Sequence, residues 1–266
     1  MTTTVSTTRP PAATDPDTTD TTTATGPTAR PRMSPMRRTA LVAGIAYIAT
    51  FVFSIPVKFG LWTDVLDDPQ FVLGGGTAPA VPLGALFEVL TALAGVATAV
   101  ALYAVARRYS DRAALGFVTT RVIEAAMIFT GVLAIMAVYT LRIDVAGTAG
   151  TDANTLVTVR DALVAVHDWT FLIGPGLMAA CNALLIGSVM YRSGLLPRII
   201  PTLGLVGAPL LLASCTATLF GVWDQVSAPA MVLVLPVALW ELSFGIYMTV
   251  KGFKVPPTPT PTEATV

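Results

Sequence analysis

Three of the chain's four glutamates, Glu88, Glu124 and Glu241, stand inside long apolar runs, where a carboxylate is costly. Arg121 lies three residues before Glu124, so on a helix the two share a face and can pair. Asn182 sits near the middle of another apolar run. Carboxylates are the groups that can take up protons or hold cations, and an arginine among them supplies a fixed counter-charge. Three glutamates against one arginine leave two negative charges if all ionise. Unpaired buried charge is costly enough that a group protonates instead, so at least one glutamate is expected to carry a proton or a cation. Two readings follow from the same residues. One is a proton or cation pathway with Glu88 as outer station and Glu124 and Glu241 as the central site. The other is a buried polar network that fixes helix packing, with Asn182 as an interhelical hydrogen-bonding group.

The elements that must carry these residues are six apolar runs, each close to the ~20 residues needed to cross a hydrocarbon core. They cover 39–57, 81–106, 113–141, 169–191, 199–222 and 228–250. The chain is 54% hydrophobic and 12% charged, with a mean hydropathy of +0.71. A soluble domain carries roughly twice that share of charge. The fold class is therefore all-α, a polytopic membrane bundle of six spans.

The third span is marginal on its own. Arg121 and Glu124 together oppose its insertion by roughly 5–7 kcal/mol, and its Leu, Ile, Phe and Val residues offset roughly 3–7. It needs partners that accept its charges. Counted at ~1.5 Å per residue, Glu124 falls near the midplane, Arg121 and Glu241 at a similar depth toward the basic side, and Glu88 nearer the other side. Arg121 is thus placed to bridge Glu124 and Glu241. In the second span Gly84, Glu88, Thr91, Gly95 and Thr98 form a stripe suited to close helix contact or a polar lining. Pro236 and Gly245 flank Glu241 and would permit a local bend.

Basic residues set the expected orientation. Arg30, Arg32, Arg37 and Arg38 precede the first span, Arg107, Arg108 and Arg112 join the second and third, Arg192 and Arg198 the fourth and fifth, and Lys251 and Lys254 follow the sixth. The opposite loops hold Lys58, Arg142 and Arg160 against eight aspartates. Both termini are expected in the cytoplasm of a bacterium, with the protein in its plasma membrane. Arg37-Arg38 before an apolar run is similar to a twin-arginine signal, but the run is long and lacks a small-residue cleavage site, so a retained span is expected. Residues 1–35 and 255–266, rich in Thr and Pro, are expected to be disordered cytoplasmic tails around a membrane domain over 36–254.

Of the two longer outer segments, Lys58 to Ala80 carries Trp62, three aspartates and Gly74-Gly75-Gly76. Arg142 to Asp168 contains an expected short helix capped by Thr151 or Asp152, with Leu156, Val159, Leu163 and Val166 as one apolar face. Such a helix would lie on the membrane surface or cover the bundle's outer mouth.

Several chemistries find no support. The single histidine, His167, is expected at the membrane interface beside Asp168 and Trp169, and one histidine cannot provide bis-His haem ligation or an HExxH site. Cys181 and Cys215 lie in apolar runs as packing residues, with no CxxC or zinc pattern. No cofactor or metal is expected. The zero formal net charge and the positive-inside distribution of basic residues speak against nucleic acid.

Four segments together resemble a bacterial family of small six-span membrane proteins catalogued as domain of unknown function 4386. They are GALFEVLTALAGVA around Glu88, TTRVIEAA with Arg121 and Glu124, YRSGLLPR from Tyr191 to Arg198, and ELSFGIYMTVKGF from Glu241 to Phe253. The resemblance runs from about Met36 to Phe253; the long Thr-rich amino-terminal segment is the departure. It implies the six-span bundle and a shared pattern of polar positions, and no activity. Within YRSGLLPR, Gly194 is expected to end one helix and Pro197 to open the next, with Arg192 and Arg198 as anchors at the lipid phosphates.

Three functions remain from the sequence. The first is a small transporter or permease, proton- or cation-coupled, using Glu88, Arg121, Glu124 and Glu241. The second is a non-enzymatic sensor, assembly or stress-protection protein held together by those residues. The third, an enzyme acting on a lipid or isoprenoid, would have only glutamates for its chemistry. Membrane lipid and a second copy of the chain are the expected partners.

Overall fold

The computed structural model of the protein describes residues 33–254 apart from 75, 149 and 151. The Thr/Pro-rich tails expected over 1–35 and 255–266 therefore fall almost wholly outside the described residues, as does Thr151, one of the two expected caps. Among the described residues there are eight α-helices and no strand: α1 Pro35–Pro56, α2 Thr63–Asp67, α3 Ala80–Ala106, α4 Asp111–Thr140, α5 Ala153–Phe171, α6 Ala179–Ser193, α7 Ile199–Leu219 and α8 Ala228–Val250.

Local chemistry explains where these helices start and stop. Ser34 caps α1, its hydroxyl accepting from the Arg37 amide at 3.3 Å, and Pro35 occupies the first turn, where its missing N–H costs nothing. Ser110 caps α4 in the same way, accepting from Ala113 at 3.2 Å. α6 ends at Gly194, whose φ of +66° is open to glycine at little cost, and the Pro197 carbonyl accepts the Ile200 amide as α7 begins. The expected SGLLP turn is thus present.

Six helical stretches are long and apolar enough to cross a membrane: Pro35–Leu61, Ala80–Ala106, Asp111–Val145, Ala153–Ser193, Ile199–Leu219 and Ala228–Val250. Large apolar side chains such as Val42, Ile45, Val52, Leu115, Val122 and Leu133 stay exposed on the outer faces of these helices, where acyl chains would meet them. The protein is a multi-pass membrane helix bundle.

The fourth span departs most from expectation. The capped helix after Asp152 does form, with the Asp152 carboxylate accepting from the Thr155 amide and hydroxyl at 2.8 Å each. It does not stop before the fourth span. It runs through α5, a π-helical stretch Leu172–Met178 containing Pro175, and α6 as one continuous helical stretch of 41 residues. At ~1.5 Å per residue its contour is about twice as long as a hydrocarbon core is thick. Its buried face also differs from the one expected. Leu156 and Val164 turn inward with Arg160 and His167, whereas Val159 and Val166 are exposed. Arg160 is buried because it has partners: Nη2 donates to the carbonyls of Val65 and Leu66 at 2.7 Å each, closing the end of α2.

Both described chain ends and the α6–α7 turn lie at one end of the bundle, here the terminal end. Arg37 donates to the carbonyls of Met248 and Thr249 at 2.9 and 2.6 Å, and the Lys254 amide donates to the Leu195 carbonyl at 2.8 Å. The opposite, loop end carries α2 and the start of α5. There the Trp62 indole donates to the Val81 carbonyl at 3.0 Å, and Arg142 stacks on Phe71. Two apolar cores result. One, toward the terminal end, includes Tyr47, Leu102, Phe117, Trp240 and Phe244; the other, toward the loop end, includes Val57, Trp62, Phe71, Ile135 and Val164.

Candidate functional site

Arg121, the residue the third span can least afford alone, is only 4% exposed. Its guanidinium forks between two helices. Nη1 donates to both Glu124 oxygens at 3.2 and 3.0 Å, one turn along α4, and Nη2 donates to Glu241 Oε1 on α8 at 2.5 Å. The rings of Tyr47 on α1 and Phe117 on α4 lie 5.2 and 5.7 Å from the guanidinium carbon, so aromatic faces cover part of the cation. Asn182 on α6 completes the group, its Nδ2 donating to Glu124 Oε2 at 2.6 Å while Thr120 donates its hydroxyl to Asn182 Oδ1. Four of the five residues singled out in the sequence therefore meet at one point, and the expected Arg121 bridge between α4 and α8 is there.

Glu88 stands apart. It shares α3 with Gly95, which faces Arg121, and lies seven positions before it, or about 10 Å along the axis. No hydrogen bond or ion pair to Glu88 occurs among the described residues; the cation within electrostatic reach is Lys58. The stripe on α3 serves both purposes expected of it. Gly84 packs under the Trp62 indole, whereas Glu88, Thr91 and Gly95 border open space.

That space is a cavity of about 320 Å³ in the loop half of the bundle. Arg121, Glu124 and Glu241 form its inner part, and Lys58, Glu88 and His167 lie among its lining residues nearer the loop end. Its walls are mostly apolar, with Phe51, Ile128, Phe171, Leu211 and Val234 among them. Toward the terminal end the packed core around Tyr47, Phe244 and Trp240 closes it.

Two residues of this cavity have no signal in the sequence pattern. Lys58 reads there as an outer-loop cation, yet α1 continues past Pro56 as a π-helical turn, Val57–Leu61, which turns Lys58 inward with its ammonium 5.0 Å from the Phe171 ring centre. His167 reads as interfacial, with nothing to show that it faces inward; it is 6% exposed, packed edge-on against Trp62 and bonded through Nδ1 to Asp168 at 3.1 Å. Lys58 also changes the charge count. Two cations now face three carboxylates, leaving one negative charge rather than two.

Cys215 borders the cavity and Cys181 is half-buried; both are free thiols. Among the described residues no three His, Cys, Asp or Glu side chains are grouped to hold a metal ion.

A six-span helical bundle with a buried Arg–Glu–Glu cluster at the bottom of a one-sided cavity defines the class of molecule. The family comparison is more specific: the model for the domain of unknown function DUF4386 matches residues 42–252, and the chain belongs to that family. No curated protein and no solved structure matches it.

Proposed function

We propose that the protein is a small proton- or cation-coupled transporter or permease whose central site is the Arg121–Glu124–Glu241 cluster. The observation that carries this reading is the cavity itself: it brings the least soluble charges of the bundle into contact with open space instead of sealing them into packing. Ionisable side chains in a membrane interior, facing a cavity, are the usual mark of a solute or ion path. In this proposal the terminal end, which collects most of the basic residues, faces the cytoplasm, and the cavity opens toward the outside of the plasma membrane.

One observation favours the competing structural reading. Both Glu124 oxygens and three helices are tied together through Arg121 and Asn182, as in a network that locks a bundle. The two readings differ in whether the closed side ever opens. A cysteine at Ala238, which lines the cavity on α8, is introduced in a background with Cys181→Ala and Cys215→Ser. It is then challenged with a membrane-impermeant maleimide in right-side-out and inverted vesicles. A transporter exposes Ala238→Cys to both sides in turn. Labelling from the loop side alone, at every pH between 5 and 8, would overturn the transport reading in favour of the structural one.

A further inference from the structure

Building on the transport reading, we infer that the cavity binds an amphipathic monocation, taken laterally from the lipid through the seam between α1 and α8, and that this ligand and a proton occupy the inner cluster in exchange. The seam is the first observation. α1 and α8 meet closely toward the terminal end, where a Cβ on Gly245 would stand 2.9 Å from that of Tyr47 and Tyr47 packs edge-on against Phe244. Beyond Tyr47 the two helices no longer fill the space between them. Thr50, Ser54 and Ile55 of α1, and Ala230, Met231 and Val234 of α8, border the cavity instead. Ile55, Phe59 and Met231 are both lining residues and 50%, 65% and 39% exposed, so the cavity reaches the lipid-facing surface there.

Charge is the second observation. In the outer part of the cavity one cation, Lys58, stands against one carboxylate, Glu88, although Glu88 makes no direct bond among the described residues. The uncompensated charge therefore lies in the inner cluster, where one guanidinium serves two carboxylates. Arg121 has spent both terminal nitrogens on them, and of Glu241 only Oε1 is engaged. One further positive charge neutralises the cluster: a proton or a ligand's cationic head, and not both. Loading one expels the other, which makes the site an exchanger. The apolar walls, with Phe51, Ile128, Leu211 and Val234, suit a hydrocarbon or aromatic body on that head. An anion would meet the excess carboxylate, and a small hydrated metal ion would leave the walls unused.

Other titratable or polar groups around the cluster are Tyr47 and Lys58 from α1 and its extension, Glu88 from α3, His167 from α5, Asn182 from α6 and Cys215 from α7. Of these, His167 could imitate the expected pH dependence, because its protonation adds positive charge to the same cavity.

The test is calorimetric binding to the full chain in lipid nanodiscs, corrected with empty nanodiscs. The probes are octyltrimethylammonium and octyl sulfate, each below its micelle concentration, and 1-octanol below its solubility limit. The ammonium is expected to bind saturably, more tightly as pH rises from 5 to 8, with protons released on binding in the lower part of that range. Glu241→Gln should weaken it at least about tenfold and remove the pH dependence, while His167→Gln keeps that dependence. Val234→Trp, which fills the wall without touching a charge, should also block binding and remains informative if Glu241→Gln does not fold. Equal or tighter binding of octyl sulfate, pH-independent binding of the ammonium, or binding unchanged by both Glu241→Gln and Val234→Trp would overturn the inference. Two-sided labelling of Ala238→Cys without ammonium binding would sink the substrate class and leave transport standing; the reverse pattern would sink transport and leave the site.

Discussion

Replacing Arg121 by methionine keeps much of the side chain's apolar stem and removes its charge. Two consequences compete in size. The first is the loss of three donated hydrogen bonds, at 3.2, 3.0 and 2.5 Å. Interhelical hydrogen bonds in membranes average only ~0.6 kcal/mol, so these together amount to about 2 kcal/mol. The second is the stranding of Glu124 and Glu241, whose side chains are 11% and 16% exposed. Removing one partner of a buried ion pair typically costs about 3–5 kcal/mol. The stranded charge dominates, and for a chain of this size it corresponds to a fall in Tm of roughly 6–20 °C. The assay is thermal unfolding in a fixed lipid-detergent mixture, followed by intrinsic tryptophan fluorescence, to which Trp240 in the neighbouring core contributes. Arg121→Met combined with Glu124→Gln and Glu241→Gln removes charge and counter-charge together and should return to within a few degrees of wild type. A single Arg121→Met variant that melts within about 2 °C of wild type would refute the claim that this guanidinium neutralises the two carboxylates.

Other perturbations follow from the geometry. Gly44→Val drives a side chain into α8, where a Cβ would already stand 2.6 Å from the Thr249 amide nitrogen and 2.7 Å from the Gly245 carbonyl; loss of folded protein on size exclusion is expected, whereas Gly60→Val, with open space around it, should be tolerated. Arg160→Ala frees the carbonyls of Val65 and Leu66, so amide exchange across Thr63–Asp67 should accelerate, with little change in α7. The bonds from Thr155 hold the Asp152 carboxyl below the usual aspartate range. A group with a lowered folded pKa stabilises its cap above its unfolded pKa, near 3.8, and loses that contribution as pH falls through the folded value. Protection of the Thr155 amide should therefore drop only below about pH 4, the usual aspartate range, and Asp152→Asn should remove the pH dependence.

Much of the architecture is legible in the sequence because a membrane leaves few alternatives: an apolar run of ~20 residues must span as helix. The sixth span matches at both ends, 228–250. The Arg121 bridge is legible for a related reason, since charges in such runs must find one another, and helical depth alone brings Glu124 and Glu241 within reach. What hides is whatever depends on helices continuing past the apolar segment. Composition ends the first span at Val57 and starts the fourth at Trp169, because Lys58, Arg160, His167 and Asp168 look like loop residues. In the fold, a π-helical turn carries the first helix past Pro56 and α5 runs unbroken through the polar residues before Trp169, while tertiary partners bury His167 and draw Lys58 toward the cavity. The inner face of α5 is misread for the same reason. Arg160 counts as polar until the carbonyl ends of α2 are in place to receive it. Of the cavity, only the α3 wall shows in periodicity, as the stripe with Glu88, Thr91 and Gly95; the rest is made by what α1 and α8 fail to fill.

The contrast along α8 has a mechanical side. Near Gly245 the helix is held backbone to backbone against α1, and Arg37 clasps its last carbonyls. Around Ala230 and Met231 it borders open space and lipid. That stretch is not loose, however, because α7 backs it: a Cβ on Gly207 would stand 2.8 Å from the Val237 amide nitrogen. The seam is therefore an unfilled edge on a helix gripped from behind, and the wall that faces α1 is held in place while the charged cluster lies at its base.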